Sequence, residues 1–91
     1  MEEIERELTI INKLGLHARA AAKLVTVASG FESDIQLVRD SRRANAKSIM
    51  GVMMLAANKG TRLKLLVSGK DAEKAAQAIT ELFNDRFGED E

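Results

Sequence analysis

The sequence contains no cysteine, proline, tryptophan or tyrosine. Without cysteine it can form neither a disulfide framework nor a thiolate metal site, and its single histidine argues against a structural zinc centre. The only aromatic residues are three phenylalanines, and none lies among basic residues where it could stack on bases. No apolar run approaches membrane-spanning length, and the acidic N-terminus lacks the apolar segment of a signal peptide. We therefore expect a cytoplasmic protein with no nucleic-acid partner, no membrane insertion, no metal and no cofactor.

Net charge is also absent, but the charges are unevenly distributed. Fourteen Lys and Arg residues balance fourteen Asp and Glu residues. Residues 12–64 hold ten basic and three acidic side chains, a net charge of +7, whereas the remainder carries −7. A length of 91 residues with 45% hydrophobic residues predicts one small folded domain over 1–91. Its basic segment favours acidic partners or phosphate groups.

Hydrophobic periodicity predicts the element order β-α-β-β-α-β-α. Alternating residues indicate strands at 4–10, 34–39, 42–46 and 61–67, the second and third joined as a hairpin. Helical spacing indicates helices through 21–28, 49–57 and 72–83, with Ser48 and Asp71 as caps of the last two. The first and second strands should run parallel if they share a sheet. We expect an α+β, two-layer open-faced sandwich, its four-stranded sheet covered on one face by three helices, with a frayed acidic tail at about 88–91.

His17 lies in Gly15-Leu16-His17-Ala18-Arg19, where an apolar run ends and an alanine-rich helix begins. The first turn of a helix presents unpaired N–H groups and the positive end of the helix dipole, so it stabilises an anion. Imidazole can accept a phosphoryl group, and the Arg19 guanidinium can bind phosphate oxygens. The alternatives without a functional role are that His17 is an ordinary surface histidine and that Arg19 is an ordinary exposed helix residue. No acid or base neighbours His17 in sequence, which favours transfer over hydrolysis.

A second segment combines a cap with apolar residues. Ser48 is placed to cap the short helix that follows. It is either a cap only, or both a cap and a phosphorylation site. Ile49, Met50, Met53 and Met54 cannot all face one core, so part of this apolar surface should be exposed for docking. Glycine inside the helix costs about 1 kcal/mol relative to alanine. Its presence at 51 indicates a close approach.

The runs Asn12–Arg19 (NKLGLHAR) and Ala46–Met53 (AKSIMGVM) together resemble HPr, the histidine-containing phosphocarrier family of the bacterial phosphoenolpyruvate-dependent phosphotransferase system. The resemblance covers essentially the whole chain, and Ser48 follows His17 by 31 residues. It implies that His17 is phosphorylated on Nδ1, that Arg19 contacts the phosphate and that Ser48 is a regulatory phosphorylation site. It also implies a partner-facing surface, the docking patch, which comprises Leu16, Ala22, Lys47, Ile49, Met50 and Met53.

One departure concerns Ala20, where many family members have proline. Alanine is an excellent helix former, so we expect a slightly less rigid first turn and no loss of chemistry.

The resemblance implies a stoichiometric carrier rather than an enzyme. It would accept a phosphoryl group from phospho-enzyme I and pass it to enzyme IIA-type acceptors in sugar uptake. It would act as a monomer and be a substrate for an HPr kinase/phosphorylase at Ser48. One alternative is a regulatory protein of a nitrogen or carbon signalling branch that acts mainly by docking. Another is a small phosphate-ester hydrolase on a ferredoxin-like scaffold, which the lack of a carboxylate near His17 and of a metal-ligand cluster disfavours.

Overall fold

The computed structural model describes residues 2–91 and has the predicted element order. All pairs of neighbouring strands in its sheet are antiparallel, in the order β1-β4-β2-β3. A single 3-10 turn, 86–88, follows the last helix. The elements are β1 (Glu2–Thr9), α1 (Ala18–Ser29), β2 (Asp34–Arg39), β3 (Arg42–Asn45), α2 (Ile49–Met53), β4 (Arg62–Gly69) and α3 (Ala72–Asn84).

Each of the two β-α-β units places its strands on either side of a third strand. β1 and β2 both pair with β4, so they run parallel to each other without touching. β3 and β4 are likewise parallel, with β2 between them. The predicted parallel direction and the β2–β3 hairpin are therefore confirmed. β3 ends one residue before the predicted boundary, although the N–H of Ala46 still donates to the Ile35 carbonyl at 2.9 Å.

The core lies between one face of the sheet and the helices. Alternate strand residues such as Leu37 and Leu65 are fully buried, whereas their neighbours along the strands are more exposed. The predicted helix stripes are buried as expected, except that Val25 and Leu82 are only partly covered. The open-faced α+β arrangement is thus confirmed. Within residues 2–91, no helix combines the length and hydropathy needed to cross a bilayer.

α2 is shorter than predicted. It ends at Met53 rather than Ala57, and Ala56 adopts a left-handed backbone conformation with φ 52°. The Arg39 guanidinium donates to the carbonyls of Leu55 and Ala56 at 2.8 and 2.7 Å. Arg39 thereby supplies hydrogen-bond partners to two carbonyl groups in the segment just after α2.

Asp71 occupies the residue before α3 but does not cap it with its side chain. Its carboxylate instead accepts hydrogen bonds from the backbone N–H groups of Glu32 and Ser33, both at 2.9 Å, and from the Ser33 hydroxyl at 2.5 Å. The Ser33 hydroxyl is the main cause of a lowered Asp71 pKa, followed by the Glu32 N–H. The expected cap is thus a link between α3 and the loop before β2.

The C-terminal residues, which we expected to fray, fold back onto the loop between β1 and α1. Phe87 is fully buried, with its ring centroid 4.9 Å from that of Phe83. Arg86, Phe87 and Gly88 have φ angles of 54°, 55° and 76°. This left-handed turn costs about 1 kcal/mol or more at each non-glycine residue, which burial of the Phe87 ring offsets. It directs residues 89–91, here called the tail, towards His17.

Candidate functional site

His17 is the N-cap of α1. Its backbone is extended, and its carbonyl accepts the N–H of Ala21 at 2.8 Å, which closes the first turn. Nδ1 of the ring accepts the backbone N–H of Arg19 at 3.4 Å. The His17 side chain is 29% exposed, so the ring is accessible and its Nδ1 edge faces the helix N-terminus.

The loop before His17 is held against the segment that follows α2. Gly15 has φ 69°, and a Cβ atom at this position would lie 2.4 Å from the Ala57 carbonyl oxygen. Leu16 donates its N–H to that same oxygen at 2.9 Å. The side-chain amide of Asn12 donates to the Gly15 carbonyl at 2.9 Å. Glycine is therefore required at position 15, and the approach to His17 is fixed by backbone contacts.

A carboxylate from the tail contacts the other edge of the ring. Glu89 Oε2 lies 2.5 Å from His17 Nε2, and Glu89 Oε1 accepts a hydrogen bond from Asn12 Nδ2 at 3.0 Å. The sequence-based expectation that no carboxylate lies near His17 is therefore wrong. Because 72 residues separate Glu89 from His17, no local motif contains both. The only sequence signal is an acidic tail that follows an isolated phenylalanine near the chain end.

The surroundings of Glu89 favour its charged form. Its pKa is lowered below the usual glutamate value, chiefly by the hydrogen bond from Asn12. The hydrogen bond and charge of His17 and the charge of Arg19 act in the same direction, against partial desolvation. The carboxylate is therefore ionised at neutral pH.

An open groove beside the ring contains charges of both signs. Lys13, Arg19 and Lys23 line it together with the tail, and all three side chains come from the basic segment identified in the sequence. The Lys23 ammonium donates to the Phe87 carbonyl at 2.7 Å, and the Lys13 N–H donates to the Glu91 carbonyl at 3.0 Å. Arg19 is exposed, so its guanidinium can reach an anion bound at the α1 N-terminus. Within residues 2–91, no three His, Cys, Asp or Glu side chains are arranged to hold a metal.

Ser48 caps α2 as predicted. Its Oγ accepts the N–H of Gly51 at 3.2 Å. A Cβ atom at position 51 would lie only 3.3 Å from this oxygen, so the close approach inferred from the glycine is present. Ser48 itself is half-buried.

The structure divides the predicted docking patch. Ile49, Met50 and Met53 are exposed on α2, and Ala22 is exposed on α1. Leu16, in contrast, is 5% exposed and belongs to the core, because the Gly15 turn directs it inward. It does not lie on the surface as expected.

Other residues near this surface also differ from the sequence-based set. Lys47 is partly buried, and its ammonium donates to the Phe31 carbonyl at 2.7 Å. Leu14 and Met54 are 63% and 70% exposed, about as much as Met50 at 66% and more than the other apolar residues of α2. Leu14 lines the groove beside His17. A leucine directly before a glycine turn could have been identified from the sequence as a surface residue.

Comparison with known proteins gives matches to one family over most of the chain. A family model described as "PTS HPr component phosphorylation site" matches residues 4–85. The phosphocarrier protein HPr of Xylella fastidiosa is 55% identical over 87 residues, covering 96% of this chain and 98% of the relative. The phosphocarrier protein NPr of Shewanella violacea is 45% identical over 89 residues, covering 98% of each chain.

Solved structures agree with the fold. The crystal structure of HPr-C-His from Thermoanaerobacter tengcongensis superposes with a TM-score of 0.91 at 44% identity, with full coverage of both chains. A crystal structure described as an HPr dimer from the same organism has a TM-score of 0.77 at 45% identity and covers 98% of this chain and 100% of the other.

Proposed function

Because the chain belongs to the HPr family of phosphocarriers, we propose that it accepts a phosphoryl group on His17 from phospho-enzyme I and passes it to enzyme IIA-type acceptors in sugar uptake. The observation that carries this proposal is the ring at the α1 N-cap, with Nδ1 directed at the first-turn N–H of Arg19. HPr is a family of phosphocarriers rather than of catalytic enzymes, so the role is stoichiometric.

The chemistry follows from the position of Nδ1. Its lone pair attacks the phosphorus of the donor, and the phosphoryl group arrives where helix N–H groups and the Arg19 guanidinium stabilise negative charge. The N–P bond remains labile, so a nucleophile of the acceptor can attack the phosphorus and take the phosphoryl group from Nδ1. Ala20 is fully buried in the first turn, and a proline ring is not needed for α1 to begin there.

Ser48 is the proposed regulatory site, phosphorylated by an HPr kinase/phosphorylase. Its hydroxyl already accepts one backbone N–H, and the exposed residues Ile49 and Met50 follow it directly. A dianion added there would oppose docking of acidic partners through repulsion and desolvation. Of the predicted docking patch, the proposal keeps the exposed residues Ala22, Ile49, Met50 and Met53. It adds two further exposed residues, Leu14 and Met54.

We propose a cytoplasmic monomer acting as one domain. The T. tengcongensis relative described as a dimer makes the oligomeric state an explicit test. Light scattering at micromolar concentration should give the mass of one chain. A stable dimer would contradict this part of the proposal alone.

A second candidate is a regulatory phosphotransferase branch that serves nitrogen or carbon signalling. The 45% identity to a protein named NPr favours it specifically. Transfer from the phosphorylated protein to a panel of enzyme IIA domains separates the two. Faster transfer to sugar-specific domains supports the first candidate, and faster transfer to a signalling-branch domain supports the second.

The decisive experiment is intact-mass analysis after incubation with phosphoenolpyruvate and enzyme I. The wild type should gain one acid-labile phosphoryl group, and His17→Ala should gain none. Ser48→Ala is the matched control, because it changes the other capping residue and should accept the group normally. A wild type that gains no phosphoryl group would overturn the carrier proposal.

A further inference from the structure

The two nitrogens of the His17 ring have partners that select the same tautomer. Nε2 faces an ionised carboxylate, Glu89, which can only accept a hydrogen bond. Nδ1 accepts the backbone N–H of Arg19, which requires a free lone pair on that nitrogen. The neutral ring therefore carries its proton on Nε2, and Nδ1 is the nucleophile.

We propose that Glu89 is a positioning residue for phosphoryl transfer. It holds His17 in the Nε2–H tautomer with Nδ1 directed at the helix N-terminus, and it stabilises the positive charge that the ring acquires as Nδ1 is phosphorylated. This proposal rests on the proposed function, because it concerns the same ring and the same transfer.

The step balances without a further reactant. The Nδ1 lone pair of His17 forms the new N–P bond while the bond between the phosphorus and the donor atom breaks, and that electron pair returns to the donor atom. The Nε2 proton of His17 remains on Nε2, and its hydrogen bond to Glu89 strengthens because the ring becomes cationic. A carboxylate placed against the far nitrogen of a reacting imidazole orients the ring and stabilises the imidazolium in the same way in hydrolytic triads.

The structure holds the Glu89 carboxylate in place from several sides. Its side chain is only 12% exposed. Asn12 is completely buried, and its amide orientation is fixed because Nδ2 serves two acceptors, the Gly15 carbonyl and Glu89 Oε1. The buried ring of Phe87 and the left-handed turn through Gly88 set the direction of the tail. Such supporting contacts are what an orienting residue requires.

The matched control is Asp90. It is the next residue of the tail, carries the same charge and lines the same groove. It is exposed, and within residues 2–91 the hydrogen-bond partner of Nε2 of the ring is Glu89 and not Asp90. Asp90→Ala therefore removes one negative charge near the site without removing the contact with Nε2. Glu89→Gln keeps an oxygen that can accept a hydrogen bond from the Nε2–H group but removes the charge.

The first measurement is the proton NMR spectrum of the ¹⁵N-labelled, unphosphorylated full chain. The Nε2 proton of His17 should give a downfield, slowly exchanging resonance in the wild type and in Asp90→Ala. Glu89→Ala should lose it, while its melting temperature shows that the fold is retained. Persistence of the resonance in Glu89→Ala would overturn the proposal.

The second measurement is the rate at which phospho-enzyme I phosphorylates each variant. Glu89→Ala should lower the maximal rate about 10-fold or more, the scale found for residues that orient metal-binding histidines, with less change in the half-saturating donor concentration. Glu89→Gln should recover part of the rate, and Asp90→Ala should lower it much less than Glu89→Ala does. A wild-type or higher rate in Glu89→Ala would overturn this proposal alone, whereas a wild type that accepts no phosphoryl group would overturn the proposed function.

Discussion

The N-termini of α1 and α2 each present a capping side chain, yet their surroundings are different. His17 caps a helix of 12 residues, and a tail carboxylate engages its second nitrogen in a groove with basic side chains. Ser48 caps a helix of five residues whose exposed side chains are apolar. Added charge meets polar partners at the first site and a hydrophobic surface at the second. The α1 site is suited to carry a phosphoryl group. The α2 site is suited to a docking surface whose affinity for partners would fall when Ser48 is phosphorylated.

Removing the anchor of the tail should break this difference with the largest effect. Phe87→Ala deletes a fully buried ring that contacts Phe83, so we expect a loss of about 3–5 kcal/mol in the free energy of unfolding. Urea denaturation measures this loss. Phe87→Leu, which keeps an apolar side chain, should lose clearly less. Equal stability of Phe87→Ala and the wild type would show that the tail is not anchored by this ring.

Charge at the α2 cap should act on docking rather than on folding. Ser48→Asp retains an excellent N-cap but adds a negative charge beside Ile49, so its affinity for enzyme I should fall about 10-fold, or about 1.4 kcal/mol. Ser48→Asn is the neutral control with similar capping strength and should bind like the wild type. Calorimetric titration with enzyme I tests both variants. Undiminished affinity in Ser48→Asp would remove the regulatory proposal.

Removal of the α2 cap tests its structural share separately. Ser48→Ala leaves the Gly51 N–H without its side-chain acceptor, at an expected loss of about 1 kcal/mol in the free energy of unfolding. His17→Ala should lose no more than this, because the Arg19 N–H is 3.4 Å from Nδ1 and the ring is partly exposed. A much larger loss in His17→Ala, measured by thermal unfolding, would make the ring a packing residue.

The smallest expected effect is a pH dependence confined to the α1 site. The folded pKa of Glu89 is lowered, so its stabilising contribution is complete above the ordinary glutamate pKa and is lost as the pH falls through the lower, folded value. The stability difference between wild type and Glu89→Gln should therefore be present at pH 7 and diminish in the acid range. A difference that grows as the pH is lowered would contradict this sign.

The sequence predicts those parts of the molecule that depend on local pattern. Alternation and helical spacing suffice for the element order and most core positions, and Ser48 acts as the cap that its residue type indicates. The incorrect predictions share one cause, which is that a side chain forms hydrogen bonds with groups far away in the sequence. Asp71 accepts hydrogen bonds from the loop before β2, and Arg39 donates to the carbonyls of the segment just after α2. Neither pairing leaves a periodic trace in the sequence.

The candidate site divides along the same line. His17, Arg19 and the α1 N-terminus are adjacent in sequence, so their convergence is predictable. Glu89 is brought in only by the path of the chain after α3, which depends on left-handed residues that pattern does not indicate. The family resemblance assigns Leu16 to the partner-facing surface, whereas the Gly15 turn places it in the core.

The left-handed turn through Arg86 and Phe87 has a consequence for motion. A terminal segment held by a few hydrogen bonds and one aromatic ring can detach while the sheet and helices remain folded. Amide hydrogen exchange at Lys13, whose N–H donates to the Glu91 carbonyl, should then be faster than global unfolding allows and should report this local opening directly. During each such opening the reactive imidazole would lose its Glu89 partner.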